Sequence, residues 1–487
     1  VTALVRRAAT KGSALFVDAG NLSYPSREVA ARKQESADLV AGFLARELVR
    51  LPLGGVGLGA ADVVRGPAMI QPARLAANLS GSSFVQTSTI TSVGGIQVAV
   101  MGVADPALAR TLGVQSEDPV AAGRAEADRL RAKGAEIVVV LAPVERSVAR
   151  TIARSAKVDF VVLGRDVGEG QARVERVGDA YLLTPGAELE RLGKLDIVLR
   201  GPRQNQDALV DAGGPAANLI RLDEVERRLK QMERDVAKWE KDASADAAFV
   251  AGKRRELDNL REERNRLKEP WRAPSQGSFF TNELVPIQRK LPRDPALAAG
   301  MRQLDKQVGA ATLRASQPPP EAEPGRARYV GDASCVRCHK AAARFGKRTA
   351  HAKAWADLVK VGKAAHEDCV SCHVVGFGEV GGTSVGYTKG RENVQCEACH
   401  GPGSIHVEKK GREKPLAIRT KTPESVCTRC HNEKHSDTFE YKAYLRDVIG
   451  PGHGEDAYDD LGPGPTGHEL RRAASKRARA EALQARR

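Results

Sequence analysis

Four copies of one five-residue pattern, C-x-x-C-H, crowd into the last third of this 487-residue chain. They read Cys335-Val-Arg-Cys338-His339, Cys369-Val-Ser-Cys372-His373, Cys396-Glu-Ala-Cys399-His400 and Cys427-Thr-Arg-Cys430-His431, and together they use all eight cysteines. Two thiols three residues apart can reach the two vinyl groups of one porphyrin. The next residue then lies beneath the iron, so the pattern is the signature of covalent c-type haem attachment. Zinc ribbons also pair C-x-x-C, but they do not require a histidine after every second cysteine. A thioredoxin-like redox motif needs a βαβ context that is missing around these copies. A disulfide framework would not repeat one spacing four times. Four covalently bound haems c are therefore expected, with His339, His373, His400 and His431 as proximal ligands. About thirty residues per motif is too few for an ordinary core, because chains below ~40 residues need added staples. The porphyrins are expected to serve as the core, and this region should not fold without them.

The rest of the chain is defined by what it lacks. The first cysteine is Cys335 and the first histidine His339, so residues 1–334 supply no thiol nucleophile, histidine base or His-ligated metal. Six histidines stand outside the motifs: His351, His366, His406, His435, His453 and His468. Each is either a distal haem ligand or an exposed polar residue. Six candidates for four places leave some as bystanders. Iron closed on both sides passes electrons only, whereas one open iron would allow substrate chemistry.

Residues 1–200 alternate β-rich runs with helical periods, which argues for a layered α/β domain. Strand candidates are Ala14–Asp18, Gln97–Val103, Glu136–Leu141, Phe160–Leu163 and Leu195–Leu199, with helix candidates at 34–50, 119–133 and 144–156. Between 215 and 270 the period changes. Leu222, Val225, Leu229, Met232, Val236 and Trp239 form a heptad seam, which Val250, Leu257, Leu260 and Leu267 resume after the interruption at Asp242–Asp246. Pro270 closes the segment, and two helices of similar length read as an antiparallel αα-hairpin coiled coil. It is a spacer arm or a dimerisation surface. A connector over 271–327 holds a helix near 294–313 and the Pro-rich linker Gln317–Gly325. A mostly helical or irregular haem domain over 328–454 and a basic tail over 455–487 complete the multidomain chain.

The stretches YVGDASCVRCH at 329–339, TAHAKAWADL at 349–358 and CEACHGPGSIH at 396–406 resemble the tetrahaem cytochrome c family typified by the electron carrier of ammonia-oxidising bacteria. The resemblance runs from Tyr329 to Gly454, about a quarter of the chain. It implies His351 and His406 as distal ligands, and His453 in GPGHG as a third. His366 and His435 compete for the fourth place, and the family includes a member with one five-coordinate haem.

The first 200 residues resemble the 5′-nucleotidases of the calcineurin-like metallophosphoesterase superfamily. The resemblance rests on ALFVDAGNLSY at 14–24, AANL at 76–79, IQVAVMGVAD at 96–105, GAEIVVVLAP at 134–143, VDFVVLGRD at 158–166 and TPGAELERLGKLDIVL at 184–199. It implies a two-metal site, yet Asn21 stands where the family has its metal-bridging Asp. The places for the family's histidine motifs read GLGAAD at 57–62, LAPV at 141–144 and LGRDVG at 163–168. Its first motif, a D-x-H strand, would precede Val1. A two-metal phosphoesterase needs such ligands to hold ions and polarise water, so a degenerate, inactive scaffold is expected. Asp18 and Asn21 could still bind an ion, though a strand-end turn is the simpler expectation for them. Gly55-Val-Gly57-Leu-Gly59 lacks the helix and acidic residue of a dinucleotide fingerprint and reads as a flexible loop.

A formal net charge of +15 and the tail residues Arg471, Arg472, Lys476, Arg477 and Arg479 suggest an anionic partner. Four haems would add about eight negative propionate charges, so no nucleic-acid partner is expected. No apolar run approaches the ~18–20 residues that cross a bilayer. Attachment through C-x-x-C-H takes place outside the bacterial cytoplasm, which implies export to the periplasm or cell surface. The first reading is an electron carrier docking redox partner proteins, with the inert α/β domain and hairpin serving docking or assembly. The alternatives are a reductase using one open haem on a small nitrogen oxide or similar substrate, and a haem-wire subunit of a membrane-associated respiratory or photosynthetic complex. Association into a homo-oligomer would use the hairpin.

Overall fold

Alternating apolar runs in the first 200 residues become the strands of one sheet in the computed structural model. It describes residues 2–484 apart from 11–13, 166–167, 169, 188, 202–208, 214, 241–245, 270–271, 288–290, 292, 414–416, 433–434 and 455. Asp166, Pro270, the side chain of Arg479 and all of the Asp242–Asp246 interruption except Asp246 lie outside the described residues. The chain is multidomain and divides into two compact units. One comprises residues 1–29 and 41–298, the other 30–40 and 299–487.

In chain order, the first unit contains β1 (Phe16–Asp18), β2 (Leu53–Val56), β3 (Ser88–Val93) and β4 (Ile96–Gly102). Then come α1 (Pro119–Ala132), β5 (Ile137–Ala142), α2 (Arg146–Ser155) and β6 (Phe160–Leu163). The sequence continues through β7 (Gln171–Val177), β8 (Ala180–Thr184), β9 (Arg191–Val198) and β10 (Val210–Asp211). The unit closes with α3 (Pro215–Trp239), α4 (Ala247–Lys268) and β11 (Phe279–Pro286). The main sheet has the order β7-β8-β6-β5-β4-β3, with a parallel centre and one antiparallel strand at each edge.

Side chains alternate across β5 and supply both faces with apolar groups. Val138, Val140 and Ala142 join Ala127 and Leu130 of α1 and Ala149 and Ile152 of α2 on one side. Ile137, Val139 and Leu141 join Phe160, Tyr181 and Phe280 on the other. Those three rings form an edge-on aromatic cluster with centroids 4.7–6.3 Å apart. Asp118 starts α1 by accepting hydrogen bonds from Val120 N and Ala121 N, with Pro119 as the first helical residue.

Two findings differ from the sequence reading. Phe279–Pro286, within the segment read as a connector, is a strand that pairs antiparallel with β9 along its whole length. The segment at Gly55–Gly59 is no flexible loop, because Val56 and Leu58 are fully buried. A Cβ on Gly57 would lie 2.7 Å from Ala19 O, so glycine permits the two strand ends to meet.

The hairpin expected at 215–270 is antiparallel. Val225, Leu229, Val236, Leu257 and Leu260 form its buried seam, edged by Met232, Trp239 and Leu267. Arg221–Glu263 and Arg228–Glu256 bridge its flanks, each at 2.7 Å. Asp246 caps α4 by accepting from Phe249 N at 2.7 Å.

In the second unit, Pro295–Ala315 is a long helix, α5. Residues 30–40 join this unit through Arg32 and Lys33 on Glu367, Ser36 on Thr312, and Glu35 on Arg314. The boundary between the units falls at 298/299 rather than in the Pro-rich stretch. That stretch is fastened within the second unit, where Gly381 N donates to Pro320 O at 2.7 Å. Among the described residues no helix is long and apolar enough to cross a membrane.

Candidate functional site

Each C-x-x-C-H copy is wound into a single helical turn. His339 N donates to Cys335 O at 3.0 Å and His431 N to Cys427 O at 2.9 Å. The second and third copies lie in Glu367–His373 (α6) and Cys396–His400 (α7). In such a turn, residues i, i+3 and i+4 share one face, so both thiols and the imidazole point the same way. All eight thiols are free.

The fold brings the copies together in pairs. Cys335 of the first copy is electrostatically coupled to Cys396 of the third, and Cys372 of the second to Cys430 of the fourth, with Cys372 Sγ 4.0 Å from Arg429 O. The neighbouring Cys430 pulls Cys372 down to about 6, while Cys430 itself is pushed up. Glu397, only 3% exposed, clamps the first and third copies together. Its carboxylate accepts from Val330 N, Gly331 N and Gly403 N, the last two at 2.7 Å. Asp332 Oδ1 reciprocates by accepting from Cys396 N at 3.1 Å. Apolar packing here is sparse, with Leu358, Val370, Val374 and Val385 at its centre.

The imidazoles show a consistent polarity. Nδ1 of His373 lies 2.5 Å from Ala354 O, that of His400 2.7 Å from Arg419 O, and that of His406 2.9 Å from Glu413 O. His453 Nδ1 lies 3.0 Å from Gly450 O. A carbonyl only accepts, so Nδ1 of His373, His400 and His406 carries the proton and Nε2 keeps its lone pair, whereas Gly450 N also donates to His453 Nδ1 at 3.3 Å. His431 Nδ1 is engaged by Ser436 Oγ at 2.8 Å. Backbone partners of this kind orient imidazoles for metal binding.

Two pairs of rings stand opposite each other. His339 and His406 have centroids 6.3 Å apart, tilted by 31°, and His351 and His431 have centroids 6.0 Å apart, tilted by 40°. An iron between two imidazoles, each bound at roughly 2.0–2.1 Å, needs a centroid separation of about 6 Å. The residues present thus fit a haem iron at these two places. Burial pushes His351 down to about 4, with the neighbouring His431 adding to the effect, so it stays a neutral ring.

The remaining candidates differ. His453 packs edge-on to Phe345, with centroids 6.4 Å apart. His366 directs Nε2 at Asp305 O, 3.0 Å away, so its ligating nitrogen is occupied. His435 is near enough to Cys372 to influence that thiol electrostatically. His468 lies on the carboxy-terminal helix Gly467–Gln484.

Sequence reasoning missed three supports of this site. Glu397 hides as a polar residue inside a motif. Phe439 stacks on His431 at 5.3 Å, and Tyr444 meets the same ring edge-on at 5.1 Å. Aromatic residues just after the fourth motif were the available signal.

In the first unit, β1 and β2 bring Asp18, Asn21 and Asp62 to one strand-end corner. Asn21 is saturated, with Nδ2 donating to Gly164 O at 2.8 Å and Oδ1 accepting from Ala61 N at 2.9 Å. Asp62 is fully buried and accepts from Asn21 N, Leu22 N, Ser23 N, Ser23 Oγ and Gly59 N. The equally buried Arg74 lies 3.5 Å away and supplies the positive charge. Both oxygens of Asp62 are spent on five donors, so this carboxylate does not fit a two-metal centre. Burial pushes Asp18 up to about 6, partly offset by the hydrogen bond from Gly20 N.

C-x-x-C-H turns with a histidine after each second cysteine are the arrangement through which cytochromes of the c class hold haem. Residues 334–401 match the family Cytochrome c554 and c-prime. Cytochrome c-554 of Nitrosomonas europaea is 35% identical over 134 residues, covering 21% of this chain and 57% of its own length. The chain thus spans little more than half of that relative. Among solved structures, reduced cytochrome c554 from Nitrosomonas europaea is similar at 27% identity, over 28% of this chain and 79% of its own, with a TM-score of 0.19. The 5′-nucleotidase precursor from Thermus thermophilus is similar at 18% identity, over 41% of this chain and 45% of its own, with a TM-score of 0.35.

Proposed function

We propose that this protein is an exported electron-transfer cytochrome carrying four covalently bound haems c, with an amino-terminal α/β domain that has no hydrolytic role. The observation that carries the reading is the placement of His339 opposite His406 and of His351 opposite His431, at separations that suit an iron between them. Bound there, haem supplies a one-electron iron couple. The chain's own residues do the rest. Eight cysteines anchor the groups, and His339, His373, His400 and His431 hold iron on the proximal side. His406 and His351 close the first and fourth sites, while His453, held at Nδ1 by the Gly450 backbone, is suited to close another. The pairing of copies one with three and two with four supports transfer between neighbours. Redox partner proteins at the cell surface or in the periplasm would donate and accept the electrons.

The test is a pyridine haemochrome assay with an electron paramagnetic resonance spectrum of the oxidised protein. Four haems per chain, low-spin where two imidazoles face each other, are expected; a spectrum without c-type absorption would sink the reading.

The engaged Nε2 of His366 favours a second reading, in which one iron stays open and the protein is a reductase acting on a small nitrogen oxide or similar substrate. Carbon monoxide binding to the reduced protein separates the two. For the first unit, the saturated Asp62 carboxylate supports loss of phosphoesterase chemistry, and docking or assembly is the role left. Measurable hydrolysis of a 5′-nucleotide with added manganese would overturn that.

A further inference from the structure

The carboxy-terminal helix, Gly467–Gln484, is basic along its length, yet one of its arginines is not a free surface charge. Thr466 and Glu469 cap its start reciprocally, with Thr466 N donating to Glu469 Oε2 at 2.8 Å and Glu469 N to Thr466 Oγ1 at 3.2 Å. The approach to it is pinned by Arg446, which is 8% exposed and donates to the carbonyls of Leu461, Gly462, Pro463 and Pro465 at 2.8–3.3 Å. So held, the helix sets Arg471 over the ring of Tyr444, with Cζ 4.8 Å from the centroid, and in an ion pair with Asp447 at 3.1 Å. Tyr444 in turn meets His431 edge-on, and His431 faces His351. A permanent cation is thereby fixed two ring contacts from the opposed imidazoles.

We propose that Arg471 is a positioning residue that raises the reduction potential of the iron held between His351 and His431. This inference rests on the ligand reading proposed above. When that iron accepts one electron from a redox partner, its site loses one positive charge. A fixed cation repels the oxidised site more than the reduced one, and poor solvent access at His351 weakens screening. Asp447 opposes the effect. Guanidinium stacking on Tyr444 keeps the charge in place.

The experiment is spectroelectrochemical titration of the full-length holoprotein and three variants, after haem counting and spin-state assignment of the wild type. Arg471→Gln should lower one of four midpoint potentials by at least threefold in the one-electron equilibrium constant, about 28 mV at 59 mV per tenfold. Asp447→Asn should raise the same couple, and Arg471→Lys should leave it closer to wild type than Arg471→Gln does. A merely structural role predicts shifts of the same sign in Arg471→Gln and Asp447→Asn, or none, and either result overturns the proposal, as does a lysine variant indistinguishable from glutamine. Wild type with fewer than four haems, or with no low-spin haem at the fourth copy, would overturn the ligand reading before any variant is compared.

Discussion

Asp62 and Arg74 illustrate how one buried ion pair can hold a strand-end corner together. Two fully buried side chains of opposite charge close the strand-end corner, and five donors saturate the carboxylate. Removing one partner of such a pair leaves an uncompensated charge, at a cost of about 3–5 kcal/mol. Asp62→Ala should therefore lower the stability of the first unit by that amount in chemical denaturation; a change below about 1 kcal/mol would refute the account. Asp18 pulls the other way. Its acid is weaker in the fold, at about 6, than its ordinary 3.8. The folded form thus binds the proton more tightly. Stability from this group is full below 3.8, declines as pH rises to about 6, and is lost above that. Asp18→Asn should stabilise the unit at neutral pH, by at most about 3 kcal/mol, and flatten the slope between those values. Thermal melts across that range check the sign. The C-x-x-C-H cysteines were legible as a pattern because covalent haem attachment dictates residue type and spacing. Glu397 was not, because its role depends on backbone amides that are remote in sequence.

At the scale of elements, legibility followed periodicity. Phe160–Leu163 emerged at its expected limits, and the helix expected over 119–133 spans Pro119–Ala132. The hairpin's seam also reads directly from its heptads. Leu229→Ala there should cost about 2–5 kcal/mol through transfer and cavity terms, visible as an earlier loss of helical signal on heating. The edge strand Gln171–Val177 escaped notice because its residues are largely polar, and Phe279–Pro286 because its partner strand lies some eighty residues back in the chain. The carboxy-terminal helix was read as a tail because charge dominates its composition. Its attachment depends on Arg446, so Arg446→Ala should speed amide exchange across 461–471 while leaving the hairpin unchanged. Equal protection in both proteins would rule out this anchoring role.

For the molecule as a whole, the sparse apolar centre around Leu358 and Val370 contrasts with the two-faced core of the first unit. Expressed without haem attachment, the chain should keep a folded first unit and a protease-sensitive remainder. A haem-free chain resistant throughout would show that polypeptide packing alone suffices. Four haem motifs and a layered α/β domain were both visible in the sequence. The way the chain divides between its units was not, because it depends on Arg32, Lys33 and Glu35 finding partners far along the chain. The backbone passes from the first unit to the second at residue 30, returns at 41, and leaves again at 299. During synthesis the short early segment must wait for a partner that emerges only after residues 41–298. A gene cut at residue 299 would encode the haem motifs yet omit a strip of their own unit. Recombination could not have exchanged the two halves as intact cassettes by a single crossover, and a fragment beginning at 299 should need residues 30–40 supplied in trans to regain its native edge.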